Sequence, residues 1–142
     1  MDAILRAMYM LQFSEYTAVG FYTNLVESDD PNVLWQAAVD TLYRFAVSGF
    51  IWSPSLCESD SIVEFVERLA KTFPYPPGDI APDWANVDIH STERCSEIIW
   101  AETVDPRSWI PTARSSEVVE RTFSSFGVSY DVYPVITVTA SQ

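Results

Sequence analysis

The stretch that decides the fold is residues 29–52, which read DDPNVLWQAAVDTLYRFAVSGFIW. Asp29 or Asp30 can cap the start of a helix, because a short acidic side chain accepts a hydrogen bond from the unpaired amides there. Pro31 suits the first helical position, since it has no amide hydrogen to leave unpaired. The sequence therefore predicts a helix over 31–48.

The predicted helix has one apolar face. Asp40 and Arg44 stand four residues apart on its polar side, in the favourable acid-first order. Gly49 is typical of the position that ends a helix, and residues 50–52 then predict a short strand. The apolar face consists of Leu34, Ala38, Leu42 and Phe45, widened by Trp35, Val39 and Ala46.

The rest of the chain alternates between helical and strand patterns. Residues 74–84 carry four prolines and a glycine, and they predict an ordered loop within one domain. A further helix is predicted within 2–27, with Ser14 as a cap and a strand over 9–13 as the alternative. Another is predicted over about 60–73, capped by Ser59 or Asp60, and another over 92–103. The last is predicted over 115–126, capped by Ser115 or Ser116 and ended by Gly127. Strands are predicted over 85–90, 128–132 and 136–140.

These patterns indicate an α+β fold. We expect one globular domain over 1–142, in which about four helices outweigh a small sheet that includes C-terminal strands.

The charge balance excludes several kinds of partner. Eight Lys and Arg residues against 20 Asp and Glu residues give a net charge of −12. Nucleic acids and anionic membrane surfaces both require clustered basic residues, so neither is an expected partner. The longest apolar run is Ala7 to Leu11, too short to cross a membrane. A surface with this negative charge serves either to keep the protein soluble or to attract a basic protein partner.

The remaining composition favours the bacterial cytoplasm. The N-terminus lacks the features of a secretion signal. Cys57 and Cys95 are the two cysteines, and a pair in a chain of this size is typical of free thiols in a reducing compartment.

No motif for catalysis, metal binding or cofactor binding is present. The four glycines are widely separated, so no glycine-rich phosphate loop can form. Cys57, His90 and Cys95 lack the spacing of a metal site, and we expect no metal and no cofactor. The alternative is a small enzyme in which Asp88 orients His90 beside one of the two cysteines; a loss of activity in His90→Ala would support it.

Aromatic and acidic residues point instead to a protein-binding surface. Trp35 is expected in the core, whereas aromatic residues beside prolines and in loops can act as buried anchors of an interface. Acidic residues around them would form its charged rim. The predicted anchors are Tyr75, Trp84 and Trp109, and the predicted acidic residues are Glu27, Asp29, Asp30, Glu58, Asp60, Asp79 and Asp83.

The segment from Asp30 to Trp52 resembles part of a known class. Its capped helix with an aromatic residue near the start, followed by glycine and an apolar strand, is similar to small acidic immunity proteins of polymorphic-toxin systems. The resemblance implies a cytoplasmic protein without catalysis that occludes a toxin, often a basic nuclease. We therefore expect an antitoxin with a basic protein toxin as its partner. The alternatives are another acidic interaction module and an inhibitor that mimics nucleic acid.

Overall fold

A computed structural model describes residues 1–56, 61–101 and 110–139. Within these residues the fold is mixed, with a three-stranded antiparallel sheet and more helix than strand. The predicted dominance of helices is confirmed, but the described residues contain seven helices, against the expected four or so. The helices are α1 (Asp2–Met10), α2 (Ala18–Asn24), α3 (Pro31–Val47), α4 (Ile62–Leu69), α5 (Pro82–Asn86), α6 (Glu93–Trp100) and α7 (Ala113–Ser125).

The central helix α3 has nearly the predicted bounds. Asp30 caps it by accepting a hydrogen bond from the amide of Asn32 at 2.9 Å, and Pro31 occupies the first position. Gly49 ends the helix with φ +73°, a left-handed conformation that glycine adopts at little cost. The apolar face packs against α2 and α4, and Trp35 is fully buried as expected.

The sheet is small and its middle strand comes late in the chain. The strands are β1 (Tyr16–Thr17), β2 (Ile51–Trp52) and β3 (Asp88–Ser91), arranged in the order β1-β3-β2. Tyr16 pairs with Ile89, and Ile51 pairs with Ser91. The strand expected within 85–90 is therefore present, displaced by a few residues, and it joins the N-terminal region to the end of α3.

The expected helix beginning at Ser14 is wrong. The chain forms α1, then the short strand β1, and only then α2, which starts after Thr17. The alternative strand over 9–13 is also absent, since α1 runs to Met10. Pairing with β3 holds Tyr16 and Thr17 extended, and this contact is invisible to the local sequence pattern.

Three predicted helix starts are displaced by a few residues. Ser61 caps α4 by accepting from the amide of Glu64 at 3.0 Å, which replaces the predicted caps Ser59 and Asp60. Thr112 caps α7 instead of Ser115 or Ser116, and Thr92 caps α6. Each of these starts offers more than one Ser, Thr or Asp residue within a few positions, and tertiary packing selects one of them.

Helix α4 ends at Leu69, earlier than expected, and two buried indoles donate to carbonyl groups at its last residue and just beyond it. Trp35 Nε1 donates to the Leu69 carbonyl at 2.9 Å, and Trp84 Nε1 donates to the Thr72 carbonyl at 2.7 Å. The predicted proline-rich loop follows, and its last residues form the short helix α5.

The predicted C-terminal strands are wrong. Residues 128–139 contain no strand, and their backbone is bonded to side chains of α3 and to the chain after α4. Gln36 accepts from the amide of Val138 and donates to the carbonyl of Ile136. The alternating apolar pattern in this segment therefore packs against a helix, without joining a sheet.

The buried side chains of the described elements form one apolar cluster around α3. No helix in the described ranges is long and apolar enough to cross a membrane.

Candidate functional site

The best candidate site is a cavity of about 280 Å³ between α1, the end of α2, α3 and the C-terminal segment. We call it the α3 pocket. Most of its wall is apolar, and two charged residues of α3 reach it. It is lined by Ala3, Ile4, Leu25, Val26, Val33, Ala37, Asp40, Thr41, Arg44, Tyr130 and Tyr133.

Arg44 connects α3 to the C-terminal segment. Its Nε donates to the carbonyl of Val128 at 3.0 Å, and its Nη2 donates to the carbonyls of Ser129, at 3.1 Å, and Val132. A further contact reaches the Tyr130 carbonyl at 3.5 Å, and the Tyr130 ring lies 5.6 Å from the guanidinium carbon. The buried side chain of Arg44 thus donates to four backbone carbonyls within residues 128–132.

Asp40 lies one helical turn before Arg44 and holds the next part of the same segment. Its Oδ1 accepts from the amides of Val135, at 2.9 Å, and Ile136, at 3.1 Å. Its Oδ2 is buried and has no hydrogen-bond partner in the described part of the chain. Burial raises the pKa of this carboxyl, although the two amides, the nearby charge of Arg44 and the side chain of Gln36 act in the opposite direction.

The buried position of these two residues corrects the sequence analysis. Asp40 and Arg44 were expected on the polar side of the helix, but they are only 1% and 2% exposed. The reason is that the C-terminal segment crosses this side of α3 and needs partners for its backbone groups. Burial also lowers the pKa of Arg44, while the charge of Asp40 raises it.

The rim of the α3 pocket exposes large apolar side chains. Val33 is 44% exposed, Tyr130 43% and Tyr133 61%, and Val26 is also exposed. Partial loss of solvent around its hydroxyl raises the pKa of Tyr133, and so does the negative charge of Asp40. A cluster of exposed aromatic and branched side chains around a cavity is typical of a binding surface.

Three predicted acidic residues lie beside this rim. Glu27, Asp29 and Asp30 are exposed in the connection from α2 to α3, between the rim residues Val26 and Val33. We call residues 27–30 the acidic loop. The acidic loop therefore joins two residues of the rim along the chain, and its part in an interface stays a prediction.

A second cavity adjoins the first. It measures about 290 Å³, lies between α1 and α2, and shares Ala3 and Leu25 with the α3 pocket. Arg6, Met10 and Asn24 are among its lining residues, so its wall is mainly apolar with polar groups at the edge. The two cavities extend the candidate surface along the α1 and α2 side of the molecule.

The other predicted site residues divide into two groups. Tyr75 is 40% exposed and its ring lies 5.3 Å from that of Tyr22, so it remains accessible, as does Asp79. Asp83 is partly buried and lies 3.9 Å from Arg68. The residues Glu58, Asp60 and Trp109, together with Cys57, lie outside the described residues.

Trp84 is a correction. It was expected as an exposed anchor, but its indole is fully buried and bonded to the Thr72 carbonyl. In this conformation the side chain supports the proline-rich loop and offers no surface to a partner.

The alternative catalytic group does not assemble around Cys95. This thiol is buried beside Gln12 and Ser91, and burial raises its pKa to about 11, so it is protonated at neutral pH. His90 precedes Ser91 on β3, and side chains of successive strand residues point to opposite faces. His90 instead lies 3.6 Å from a carboxylate oxygen of Glu15 and stacks near Trp52.

The described residues include no group of three or more His, Cys, Asp or Glu side chains that could hold a metal ion.

No family model matches this sequence, and neither the curated proteins nor the solved structures include a match to it.

The raised pKa of Asp40 predicts an unusual pH dependence. Because the folded chain binds this proton more tightly than the unfolded chain, Asp40 contributes most to stability below its ordinary pKa of 3.8. That contribution declines as the pH rises through the folded-state value. In Asp40→Asn the amide oxygen can still accept from Val135 and Ile136, but nothing titrates.

We therefore expect the unfolding free energy of the wild type, minus that of Asp40→Asn, to fall as the pH is raised from about 3 to 6. Urea denaturation at a series of pH values measures this difference. The exposed variant Asp79→Asn corrects for the loss of one negative charge. A difference that is constant, or that grows with pH, would contradict the burial of an ionisable Asp40.

Proposed function

We propose that this chain is an immunity-type protein that binds and neutralises a basic bacterial toxin domain in the cytoplasm. The observation that supports it most is the α3 pocket, whose exposed aromatic rim adjoins the acidic loop on a chain with a net charge of −12. Interfaces that bind tightly combine a few aromatic anchors with a charged rim.

The charge of the chain supports fast association. A negative surface attracts a basic partner over a distance of about one Debye length, ~10 Å at 0.1 M salt, and orients it before contact. Association at low salt can then reach about 10⁸–10⁹ M⁻¹s⁻¹. An inhibitor of a toxin gains from this speed, because the toxin must be bound before it acts.

The rim residues supply the contacts that persist after the encounter. Tyr130 and Tyr133 present large rings at modest cost in side-chain entropy, and Val26 and Val33 extend the apolar area between them. Tyr75 stays a proposed anchor on the proline-rich loop. Trp84 is no longer part of the proposal, and Asp79 and Asp83 are retained as acidic contacts.

The proposal is tested with the protein encoded next to this chain. We expect the C-terminal domain of the neighbouring reading frame to arrest growth when it is expressed alone, and co-expression of this chain to restore growth. The purified pair should form a complex whose affinity falls as salt is raised. A neighbouring domain without toxicity, or a toxic one that this chain neither binds nor neutralises, would contradict the proposal.

The acidic loop allows a sharper measurement on the same pair. In Asp29→Asn/Asp30→Asn the Asn side chain at position 30 can still cap α3, so the fold is kept while two charges are lost. We expect the association rate constant at low salt to fall about threefold to tenfold. The control Glu93→Gln/Glu97→Gln removes the same charge from exposed positions of α6, which does not line the α3 pocket, and should change the rate less. Equal effects of the two double variants would remove the acidic loop from the interface.

A further inference from the structure

We propose that the α3 pocket accepts the side chain of one lysine or arginine of the bound partner, with the charged end of that side chain at Asp40. The inference rests on the proposed function, because it assigns the occupant to the partner protein. It adds a specific anchor to what is otherwise a general electrostatic attraction.

Asp40 is the reason to expect a cation. Both backbone hydrogen bonds to this carboxylate arrive at Oδ1, and Oδ2 is buried without a partner at hydrogen-bond distance within the described residues. The side chain of Gln36, one turn earlier on α3, lies close enough to favour the charged form but leaves Oδ2 without a hydrogen bond. A buried carboxylate oxygen without a donor is costly, and a charged donor compensates it better than a neutral one. Because Asp40 is only 1% exposed, the residues that cover it must shift before a cation in the cavity can reach Oδ2. The new contact would then supply a donor that the isolated chain lacks.

The walls of the α3 pocket suit the rest of a basic side chain. Leu25, Val26, Val33 and Ala37 provide apolar surface for the methylene stem of lysine or arginine. Tyr130 and Tyr133 provide aromatic surface, which attracts a cation that lies against it. The volume of about 280 Å³ leaves room for a side chain of this length.

Arg44 also reaches the cavity, and its positive charge must be considered. Its guanidinium faces four backbone carbonyls, those of residues 128, 129, 130 and 132. Carbonyl oxygens carry partial negative charge, so they compensate much of the charge of Arg44. The exposed carboxylates of Glu27, Asp29, Asp30 and Asp131 adjoin rim residues in the sequence and add negative charge, while Arg6 lines the neighbouring cavity and does not line the α3 pocket.

A small cation tests the pocket without any partner. We would titrate the full chain with n-butylammonium and record amide shifts by two-dimensional NMR. We expect saturable shifts at Val33, Ala37, Val135 and Ile136, with a dissociation constant of about 1–10 mM. The neutral 1-butanol, which has the same stem and a donor group, should bind at least about tenfold more weakly.

Two variants and one control make the assignment specific. Asp40→Asn removes the charge with little change of shape and should weaken n-butylammonium binding at least about tenfold, while the control Glu93→Gln, at an exposed position of α6 that does not line the α3 pocket, should not. Tyr133→Leu, at a 61% exposed position, tests the aromatic wall if Asp40→Asn proves too unstable, and it should weaken binding severalfold. Absence of saturable shifts, equal binding of 1-butanol, or an unchanged constant in Asp40→Asn would overturn the inference. Micromolar binding of the free amine would also overturn it, since that would indicate a site for a small molecule.

The inference and the proposed function can fail separately. If the neighbouring domain is not a toxin, the function fails, whatever the titration shows. If Asp40→Asn still neutralises the toxin with wild-type affinity, the function stands and the cation site is wrong. A loss of affinity of about tenfold or more in Asp40→Asn, with a folded NMR spectrum, would support both.

Discussion

Replacing Arg44 with methionine will lower the free energy of unfolding by about 3–5 kcal/mol. Methionine keeps most of the apolar stem but removes the guanidinium, so the carbonyls of Val128, Ser129 and Val132 lose their donor. The loss also leaves the buried carboxylate of Asp40 without its nearest compensating charge on α3. Urea denaturation followed by circular dichroism measures the change.

Two further variants separate this effect from general loss of charge. Arg121→Met, at an exposed position of α7, should change the unfolding free energy by no more than about 0.5 kcal/mol. Arg44→Lys keeps the charge but cannot reproduce the planar set of donors, so its stability should lie between wild type and Arg44→Met. Wild-type stability in Arg44→Met would show that the C-terminal segment is held by other contacts.

Replacing Trp84 with alanine will cost about 3–5 kcal/mol of stability, because it empties a fully buried site. Trp84→Phe keeps most of the volume but removes the donor to the Thr72 carbonyl, and it should cost about 1–3 kcal/mol. Thermal or urea denaturation of both variants measures these costs.

Tyr75 supplies the matched comparison for Trp84. It belongs to the same proline-rich region but is 40% exposed, so Tyr75→Ala should cost less than about 1 kcal/mol. If Trp84→Phe were as stable as wild type and yet bound the partner poorly, the original expectation of an exposed anchor would be right and the buried placement wrong.

The helix α3 could be predicted because its signals are local. Asp30, Pro31 and Gly49 each act on the backbone within a few residues, so their effect does not depend on the rest of the fold. The helix starts near Ser61 and Thr112 could not be located to the residue from the sequence. Neighbouring residues there can cap equally well, and the choice depends on packing.

The C-terminal segment could not be predicted, because its partners are distant in sequence. Its alternating apolar residues are typical of a strand, yet its backbone bonds to Gln36, Asp40 and Arg44, more than 80 residues earlier. Nothing in the pattern around 128–139 indicates that three polar side chains of one helix will supply those bonds. Tertiary contacts therefore override the local preference for a strand.

The candidate site was predicted in part for the same reasons. The acidic loop is exposed, and composition alone was enough to expect it at an interface. The α3 pocket was missed, because Asp40 and Arg44 were taken as polar surface residues. Tyr130 lies within a predicted strand and Tyr133 directly after it, and only the observed course of residues 128–139 brings both rings to the pocket.

The attachment of residues 128–139 to α3 has a thermodynamic consequence for binding. Tyr130 and Tyr133 line the α3 pocket only while this segment is bound to α3. Occupation of the pocket and docking of the segment are therefore linked equilibria, and an occupant that contacts Tyr130 or Tyr133 should slow amide hydrogen exchange at Val135 and Ile136. Residues 128–139 thus complete the pocket, and the exchange rates of their amides report whether it is occupied.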